Sequence, residues 1–357
     1  MKGVILAGGE GTRLRPITHT GPKQLVPIAN KPVIQYGIEE LRDAGITEIG
    51  IVLGNKGRDE VQEFLGDGSE FGVEITYIIQ GDPLGLAHAV GCAQSFVGDD
   101  DFVVYLGDNM LNQDLSGFVE SFGRGDSAAG MLLEEVDNPT QFGVATLDDN
   151  GKVVRMVEKP TDPETNLAII GIYLFTTEIF AAIERIEPSA RGELEITDAF
   201  QLLIDEGRPI DSHRVDGWWK DTGRPEDIIE ANRLVLDDIE ASTDGRVEAG
   251  AEIRGKVDLH ETATIETGAV VRGPVSIAAG TVIGDGTYLG PYTAIGPNST
   301  VRGPHIESSI IMGESTITAG GTYVDSLVGR GTVLETADGC LPEGQRLVIG
   351  ENSQLKL

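Results

Sequence analysis

Residues 247–301 read VEAGAEIRGKVDLHETATIETGAVVRGPVSIAAGTVIGDGTYLGPYTAIGPNSTV, and an aliphatic residue recurs in this stretch at every sixth position. The recurring residues are Val247, Ile253, Leu259, Ile265, Val271, Ile277, Ile283, Leu289, Ile295 and Val301. A six-residue period is typical of a parallel β-helix, in which each short strand places one aliphatic side chain in a shared core. We therefore predict a β-helix over residues 247–338. After two slips we expect the period to resume at Ile311 and Ile317, and again at Leu327 and Val333.

The chain before residue 239 follows a different pattern, because apolar runs of strand length alternate there with amphipathic runs of helical length. The candidate strands are Val4–Ala7, Ile49–Leu53, Ile75–Ile79, Phe102–Leu106, Gly130–Val136 and Ala168–Phe175, and the candidate helices include Pro32–Asp43 and Pro225–Leu236. This alternation predicts a Rossmann-like α/β domain over residues 1–238, with a mostly parallel sheet between helices. We expect residues 239–246 to form an acidic linker and residues 339–357 to form a C-terminal tail.

The chain of 357 residues carries a formal net charge of −31, which is spread along its whole length. Repulsion of this size is relieved by salt, so the composition suggests a halophilic source, with a basic protein partner as the alternative explanation. The same charge argues against nucleic-acid binding. Because no apolar run has the length of a membrane span or of a signal peptide, we expect a cytoplasmic protein without a membrane partner.

A short basic segment at the N-terminal end contrasts with this acidic chain. The strand Val4–Ala7 is followed by three glycines and three basic side chains, namely Gly8, Gly9, Gly11, Arg13, Arg15 and Lys23. A glycine loop exposes backbone N–H groups to an anion, and nearby guanidinium and ammonium groups add positive charge. Neither the P-loop nor the dinucleotide fingerprint matches these residues. We therefore expect a phosphate-bearing ligand of another kind, the alternative being an ordinary turn with solvated charges.

The segment LAGGEGTRLRPITHTGPKQLVPIANKPVIQY, residues 6–36, resembles the sugar-1-phosphate nucleotidyltransferases, and among them the glucose-1-phosphate thymidylyltransferases. The further matches, in the order of that family, are GDPLGLAHAV (81–90), YLGDNM (105–110), QFGVA (141–145), VEKP (157–160), RGELEITDAF (191–200) and GWWKDTGRPEDI (217–228). The Lys–Gln pair at positions 23 and 24 favours the thymidylyl subgroup. The C-terminal repeats resemble the long archaeal form of these enzymes, which carries a left-handed β-helix.

The resemblance implies a magnesium-dependent reaction in which glucose 1-phosphate attacks the α-phosphorus of dTTP, or of UTP, and pyrophosphate leaves. The nucleotide-binding residues that it implies are Leu6, Gly8, Gly9, Gly11, Thr12, Arg13, Lys23, Gln80 and Gly85. Among these, Arg13 and Lys23 would hold the triphosphate and favour the departure of pyrophosphate. Asp108 and Asp221 would share the Mg²⁺ ion, since carboxylate oxygens suit this cation. The residues implied for the sugar phosphate are Gly143, Glu158, Lys159 and Arg191.

Structural explanations exist for several of these residues, and other functions remain open. Asp108 and Asp221 suit turns, Gln80 suits a strand end, and Glu158 with Lys159 suits an exposed ion pair. UTP is a close alternative to dTTP, because one methyl group in a fitted pocket is worth only about 1–3 kcal/mol. A second alternative is a non-catalytic regulatory subunit with the same two-part architecture.

A third alternative adds acyl transfer to the β-helix. The related bifunctional enzymes that the chain resembles usually place a histidine base in a late coil. The stretch STITAGGTYVDSLVG, residues 315–329, contains none, so we expect no acetyl transfer. Solenoids of this type often associate side by side, and we therefore expect a homo-oligomer.

If the acidic composition is an adaptation to salt, the protein should be more stable in molar potassium chloride than at low ionic strength. Added salt screens the repulsion among the carboxylates, so we expect the unfolding temperature to rise with the salt concentration. Circular dichroism during heating, at low and at molar potassium chloride, measures this effect. An unfolding temperature that did not rise would rule out the halophilic interpretation.

Overall fold

The computed structural model describes residues 1–336 and 351–354, and a mixed sheet forms the centre of its first part. The strands up to Asp221 are β1 (Lys2–Ala7), β2 (Pro27–Ile28), β3 (Lys31–Pro32), β4 (Glu48–Gly54), β5 (Glu74–Gly81), β6 (Phe102–Leu106), β7 (Asn109–Leu111), β8 (Ala129–Glu135), β9 (Gly143–Leu147), β10 (Val153–Glu158), β11 (Leu167–Phe175), β12 (Ile210–Arg214) and β13 (Trp219–Asp221). The helices are α1 (Val33–Asp43), α2 (Arg58–Leu65), α3 (Leu86–Cys92), α4 (Gln94–Val97), α5 (Ser116–Arg124), α6 (Glu178–Ile183), α7 (Ile196–Asp205) and α8 (Pro225–Asp237).

The sheet has the strand order β10-β9-β11-β6-β1-β4-β5, with β8 paired to β11 and β12 paired to β8. Strands β6, β1, β4 and β5 run parallel to one another, whereas β11 is antiparallel to β6, β8 and β9. The predicted α/β domain with a parallel sheet is confirmed, and β11 makes the sheet mixed. All nine residues of β11 are buried, as expected for a strand that is covered on both faces.

Side chains of β1 enter two separate hydrophobic cores, one on each face of the sheet. Val4 and Leu6 belong to one core, and Ile5 and Ala7 belong to the other. This alternation follows from the two-residue period of a strand, and it explains why the run is apolar throughout. The packing fixes β1 between β4 and β6, so the loops that follow β1 and β6 start side by side.

Two of the helices illustrate how closely the sequence pattern predicts the elements. Helix α1 buries Ile34, Ile38 and Leu41, which share one helical face, but it begins at Val33 because Pro32 belongs to β3. Helix α8 begins at Pro225 as predicted, since proline suits the first helical position.

The second part of the chain forms stacked parallel strands. They are β14 (Ser242–Thr243), β15 (Arg246–Val247), β16 (Glu252–Arg254), β17 (Val257–Leu259), β18 (Thr264–Ile265), β19 (Val270–Arg272), β20 (Val275–Ile277), β21 (Val282–Ile283), β22 (Tyr288–Leu289), β23 (Thr293–Ile295), β24 (Thr300–Val301), β25 (His305–Glu307), β26 (Ile310–Ile311), β27 (Thr316–Ile317), β28 (Thr322–Val324), β29 (Leu327–Val328) and β30 (Val333–Leu334). These strands form three sheets, and each sheet is made of every third strand in chain order. This arrangement is consistent with a left-handed parallel β-helix. The predicted β-helix is therefore confirmed.

The register of the β-helix corrects one part of the prediction. Ile311 and Ile317 are buried as expected, but the positions paired with them in the next coil are Val328 and Leu334. Val333 is instead 59% exposed, so the prediction that Leu327 and Val333 continue the inward-facing series was wrong. The later coils are shorter than the earlier ones. Strands β29 and β30 each contain two adjacent aliphatic residues, and periodicity alone could not show which of the two faces the core.

Contacts divide the chain into two compact units. The first contains Met1–Glu10, Pro22–Leu25 and Val33–Asp221, and the second contains Gly11–Gly21, Val26–Pro32 and the described residues from Thr222 onward. The second unit therefore holds the β-helix together with α8, β2 and β3. The predicted tail, residues 339–357, lies outside the described residues except for 351–354. Within the described ranges, no helix is both long and apolar enough to cross a bilayer.

Candidate active site

The loops after β1 and β6 leave neighbouring parallel strands at the same edge of the sheet. Leu6 is paired with Leu106, and the backbone N–H of Gly107 donates to the carbonyl of Leu6 at 3.0 Å. The glycine loop and Asp108 therefore start side by side. Ligands of parallel sheets bind beyond the carboxyl ends of the strands, so this edge is the natural place for a site.

The absence of side chains at Gly8 and Gly9 lets two polar side chains approach the loop. A Cβ atom at Gly8 would lie 2.5 Å from the Gln80 Oε1 atom, and a Cβ at Gly9 would lie 3.0 Å from the Lys23 Cε atom. Alanine at position 8 would therefore collide with Gln80. The structure brings Gly8, Gly9, Lys23 and Gln80 together, as the sequence predicts for a nucleotide site.

Lys23 and Asp108 form an ion pair that is largely withdrawn from solvent, with 15% and 17% of the respective side chains exposed. Burial raises the pKa of Asp108, but the Lys23 ammonium and a hydrogen bond from Asn109 outweigh burial and lower this pKa below its ordinary value. Asp108 is therefore a carboxylate at neutral pH, which is the form that binds a divalent cation.

Asp221 lies next to Asp108 because β13 pairs with β7 in antiparallel fashion. In this ladder Asp221 is directly opposite Asn109, the residue after Asp108. Opposed residues of such a pair have Cα atoms about 4.5–5.5 Å apart. The structure thus places the backbone of Asp221 opposite the residue that follows Asp108.

The chemistry of this pair fits Mg²⁺ in a particular way. Among the described residues, no group of three or more His, Cys, Asp and Glu side chains is arranged to hold a metal ion. Mg²⁺ is commonly held by one or two carboxylates together with substrate phosphates and water, so Asp108 and Asp221 match a site that the substrates complete.

Asn109 is a site residue that the sequence analysis missed, although it lies in the family-like segment YLGDNM. It is 3% exposed, and its Nδ2 donates to the Asp108 Oδ1 atom at 3.2 Å. Its Oδ1 accepts from the Trp219 Nε1 atom at 2.6 Å and from the Gly171 backbone at 3.3 Å. An amide with these partners orients the carboxylate beside it. The signal in the sequence was a polar residue at a buried strand end.

Gln80 and Gly85 also lie together, at the end of β5 and the start of α3. The Gln80 Nε2 atom is 3.4 Å from the Gly85 carbonyl and 3.3 Å from the His88 Nδ1 atom. Gly85 has a φ of +120°, and a Cβ there would lie 2.5 Å from the Leu194 backbone. Only glycine fits this position, so the loop shape at Gly85 is fixed independently of any ligand.

Gly11, Thr12 and Arg13 belong to the second compact unit. Thr12 and Arg13 lie in a short 3-10 helix and are exposed, and the Thr18 hydroxyl donates to the Gly11 carbonyl at 2.6 Å. A Cβ at Gly223 would lie 2.7 Å from the Arg13 Nη2 atom, so Gly223 leaves room for this guanidinium. The triphosphate contact of Arg13 stays a prediction.

The four residues predicted for the sugar phosphate are brought together. Glu158 is paired with Gly143 across β10 and β9, and a Cβ at Gly143 would lie 3.2 Å from the Glu158 Oε2 atom. The Glu158 Oε1 atom is 3.6 Å from the Lys159 Nζ atom and 3.5 Å from the Arg191 Nη2 atom. A cavity of about 670 Å³ is lined by Glu158, Lys159 and Arg191, among other residues.

The pKa of Glu158 is raised by burial and by the carboxylate of Glu195, and only partly lowered by Lys159 and Arg191. Hydroxyl donors of a sugar would meet a carboxyl group that has two cations near one of its oxygens, Oε1. This geometry suits recognition of a hydroxylated, anionic ligand.

Glu195 is a second residue that the sequence analysis missed. It is 4% exposed, and both of its carboxylate oxygens accept hydrogen bonds from Arg191, with the Nη2 atom 2.9 Å from each oxygen. The Ser189 hydroxyl donates to the same carboxylate at 2.7 Å. These bonds hold the guanidinium in one orientation. The feature of the sequence that could have indicated Glu195 is its position four residues after Arg191, where a carboxylate can pair with the guanidinium.

A sequence model of the family described as nucleotidyl transferase matches residues 2–238. The chain belongs to this family. A low-salt glycan biosynthesis nucleotidyltransferase of Haloferax volcanii, Agl11, is 64% identical over 357 residues, which is all of both chains. A glucose-1-phosphate thymidylyltransferase of Streptomyces antibioticus is 47% identical over 358 residues, covering 100% of this chain and 99% of that protein.

A solved structure also resembles the chain, that of a UDP-glucose pyrophosphorylase complexed with UDP-glucose. Its TM-score is 0.60 and its identity is 29%, and the match covers 67% of this chain and 99% of the other. Together with the site, these findings identify the chain as a sugar-1-phosphate nucleotidyltransferase. The nucleotide and the sugar are a separate question.

Replacing Glu195 with glutamine should weaken binding of the sugar phosphate. The variant keeps the shape but loses charge-assisted hydrogen bonds worth about 1.5–3 kcal/mol, so we expect the KM for the sugar 1-phosphate to rise about tenfold or more. The KM for the nucleotide should change less than twofold. Ser189→Ala, which removes the hydroxyl bonded to Glu195 and to the Arg191 backbone but keeps the Arg191–Glu195 ion pair, serves as the control. Steady-state kinetics with each substrate varied separately measures both values. A nucleotide KM that rose equally would contradict the assignment of Arg191 to the sugar phosphate.

Proposed function

We propose that this nucleotidyltransferase transfers the thymidylyl group of dTTP to glucose 1-phosphate, giving dTDP-glucose and pyrophosphate, with Mg²⁺ as its cofactor. The observation that carries the proposal is the ion pair of Lys23 with Asp108, which follows β6, with Asp221 opposite the residue after Asp108. The choice of dTTP is supported by the Lys–Gln pair and by the 47% identity to a thymidylyltransferase.

The Lys–Gln pair has a structural basis in this chain. Gln24 is 1% exposed, and its Nε2 donates to the carbonyl of Ala7 at 2.9 Å, at the last residue of β1. Gln24 thereby attaches the segment that carries Lys23 to the strand that precedes the glycine loop. The ammonium therefore lies beside the glycine loop, 3.1 Å from where a Cβ at Gly9 would be, which supports the proposed contact with a triphosphate.

The proposed reaction joins two anions, so its main requirement is electrostatic. Lys159 and Arg191 would neutralise the sugar phosphate, while Glu158 would accept hydrogen bonds from sugar hydroxyls. Lys23, with Arg13, would stabilise the charge that develops on the departing pyrophosphate. The attacking phosphate oxygen is already anionic, so none of the residues at the site has to act as a general base.

Asp108 and Asp221 would hold the Mg²⁺ ion, which when bound neutralises phosphate oxygens and lowers the barrier to attack on phosphorus. The Asp108 carboxylate is paired with Lys23, which keeps it ionised.

Uridylyl transfer from UTP is the second candidate, supported by the likeness to the UDP-glucose pyrophosphorylase structure. It uses the same residues in the same roles and differs only in how the base is recognised near Gln80. The cytoplasmic location, the halophilic source, the homo-oligomer and the absence of acetyl transfer stay predictions.

Release of pyrophosphate from dTTP and from UTP tests the proposal. We expect purified protein, with Mg²⁺, glucose 1-phosphate and molar potassium chloride, to prefer dTTP in kcat/KM. Asp108→Asn should lower kcat at least a hundredfold, whereas the exposed Asp99→Asn should leave it unchanged. Preference for UTP would replace the proposed substrate and keep the mechanism. No release with either nucleotide would contradict the proposal.

A further inference from the structure

A two-residue hairpin follows the segment that carries Lys23. Strands β2 and β3 pair through Ile28 and Lys31, and the turn between them consists of Ala29 and Asn30. Both turn residues have positive φ values, +46° and +66°. Turns of this type favour Asn–Gly, and alanine rarely adopts such a backbone. The turn must therefore be held in shape by contacts outside itself.

The contacts that hold this turn come from α8 and from the β-helix. The backbone N–H of Ala29 donates to the Asn232 Oδ1 atom at 2.8 Å. The Asn30 Nδ2 atom donates to the Ser276 hydroxyl at 2.9 Å, and this hydroxyl donates to the Asp258 Oδ2 atom at 3.1 Å. Asn232 and Ser276 are 1% and 2% exposed, so water does not compete for these bonds.

Asn232 uses its second amide atom on the β-helix itself. Its Nδ2 donates to the Tyr292 carbonyl at 3.0 Å, and Tyr292 has a φ of +63°. One buried amide thus bridges the hairpin turn and a corner of the β-helix. Neither aspartate nor leucine, the side chains nearest to it in volume, could replace it, because ionised aspartate lacks the donor and leucine lacks both groups.

Helix α8 is also attached to the β-helix by bonds that do not involve the hairpin. The Arg233 Nε atom donates to the Ser308 hydroxyl at 2.7 Å, and the Tyr292 hydroxyl donates to the Asp237 Oδ1 atom at 3.0 Å. These bonds lie in the same contact between α8 and the β-helix as the bonds of Asn232. Substitutions at Arg233 or Tyr292 therefore weaken this contact without removing the bond to Ala29.

The hairpin supports one end of a very short segment. Only three residues separate Lys23 from Pro27, the first residue of β2, and Gln24 fixes the segment to β1. A hairpin that shifted would pull on the Gln24 bond and through it on Lys23, since only Leu25 and Val26 lie between Gln24 and β2.

We propose that Asn232 is a positioning residue, through which the β-helix fixes the hairpin and thereby the position of Lys23 at the triphosphate. The β-helix then contributes to nucleotide binding through the hairpin and the short segment that carries Lys23, in addition to any role in assembly. The inference rests on the proposed function in one respect, namely that Lys23 binds the triphosphate.

The variant Asn232→Leu tests the proposal, since it removes both hydrogen bonds at nearly constant volume. We expect the KM for dTTP, or for UTP if that is the better substrate, to rise about tenfold. The KM for glucose 1-phosphate should stay within twofold. The matched controls Tyr292→Phe and Arg233→Met should lower the unfolding temperature and leave both KM values unchanged. Equal changes in both KM values, or none, would overturn the proposal.

Hydrogen–deuterium exchange gives a second measurement that does not need activity. The amides of residues 26–32 should exchange faster in Asn232→Leu than in wild type or in Tyr292→Phe. Unchanged exchange there would overturn the proposal even if wild type were inactive with both nucleotides, an outcome that would contradict the proposed function separately. If Asn232→Leu does not fold, Ser276→Ala removes the bond from Asn30, together with the bond to Asp258, and leaves both bonds of Asn232 in place. It should then raise the nucleotide KM and the exchange by a smaller factor, and no change would again overturn the proposal.

Discussion

The ion pair between Lys23 and Asp108 joins two loops that leave neighbouring parallel strands, and it fixes the lysine beside the glycine loop and the first predicted metal ligand to each other. Two opposite charges removed from water do not stabilise a fold by themselves, because desolvation offsets their attraction. In this site Asn109 donates to the carboxylate and Gln24 holds the segment that carries the lysine. The pair is better explained by function, since it keeps both charges at the point where two anions would meet.

The same arrangement recurs among the residues predicted to bind the sugar phosphate. Lys159 and Arg191 both approach Glu158, and Arg191 is held more firmly by Glu195. Each cation therefore has an acidic partner that orients it before a substrate arrives, which reduces the reorganisation needed on binding. In a chain with a net charge of −31, this local pairing matters because the surrounding acidic surface repels phosphate-bearing ligands.

The features that could be predicted from the sequence are those that depend on the spacing of apolar residues along the chain. The β-helix followed from its period and the catalytic strand ends from short apolar runs, whereas the last inward-facing positions at 327 and 333 were misplaced by one residue. Asn109, Glu195 and Asn232 were missed for a different reason. Asn109 and Asn232 act through hydrogen bonds to partners distant in sequence, whereas Glu195 bonds residues four and six positions before it. In all three cases a polar residue looks the same in sequence whether it is solvated or buried. The specificity for the base has no local signal beyond the Lys–Gln pair.

A double-mutant cycle on Lys23→Gln and Asp108→Asn tests most directly whether this ion pair organises the site. If the two residues act as one unit, kcat/KM for the nucleotide should fall strongly in each single variant. The kcat/KM of the double variant should then be no more than about threefold below that of the less active single variant. Losses that multiplied in the double variant would show two independent residues. That result would contradict a central role of the Lys23–Asp108 pair in organising the site.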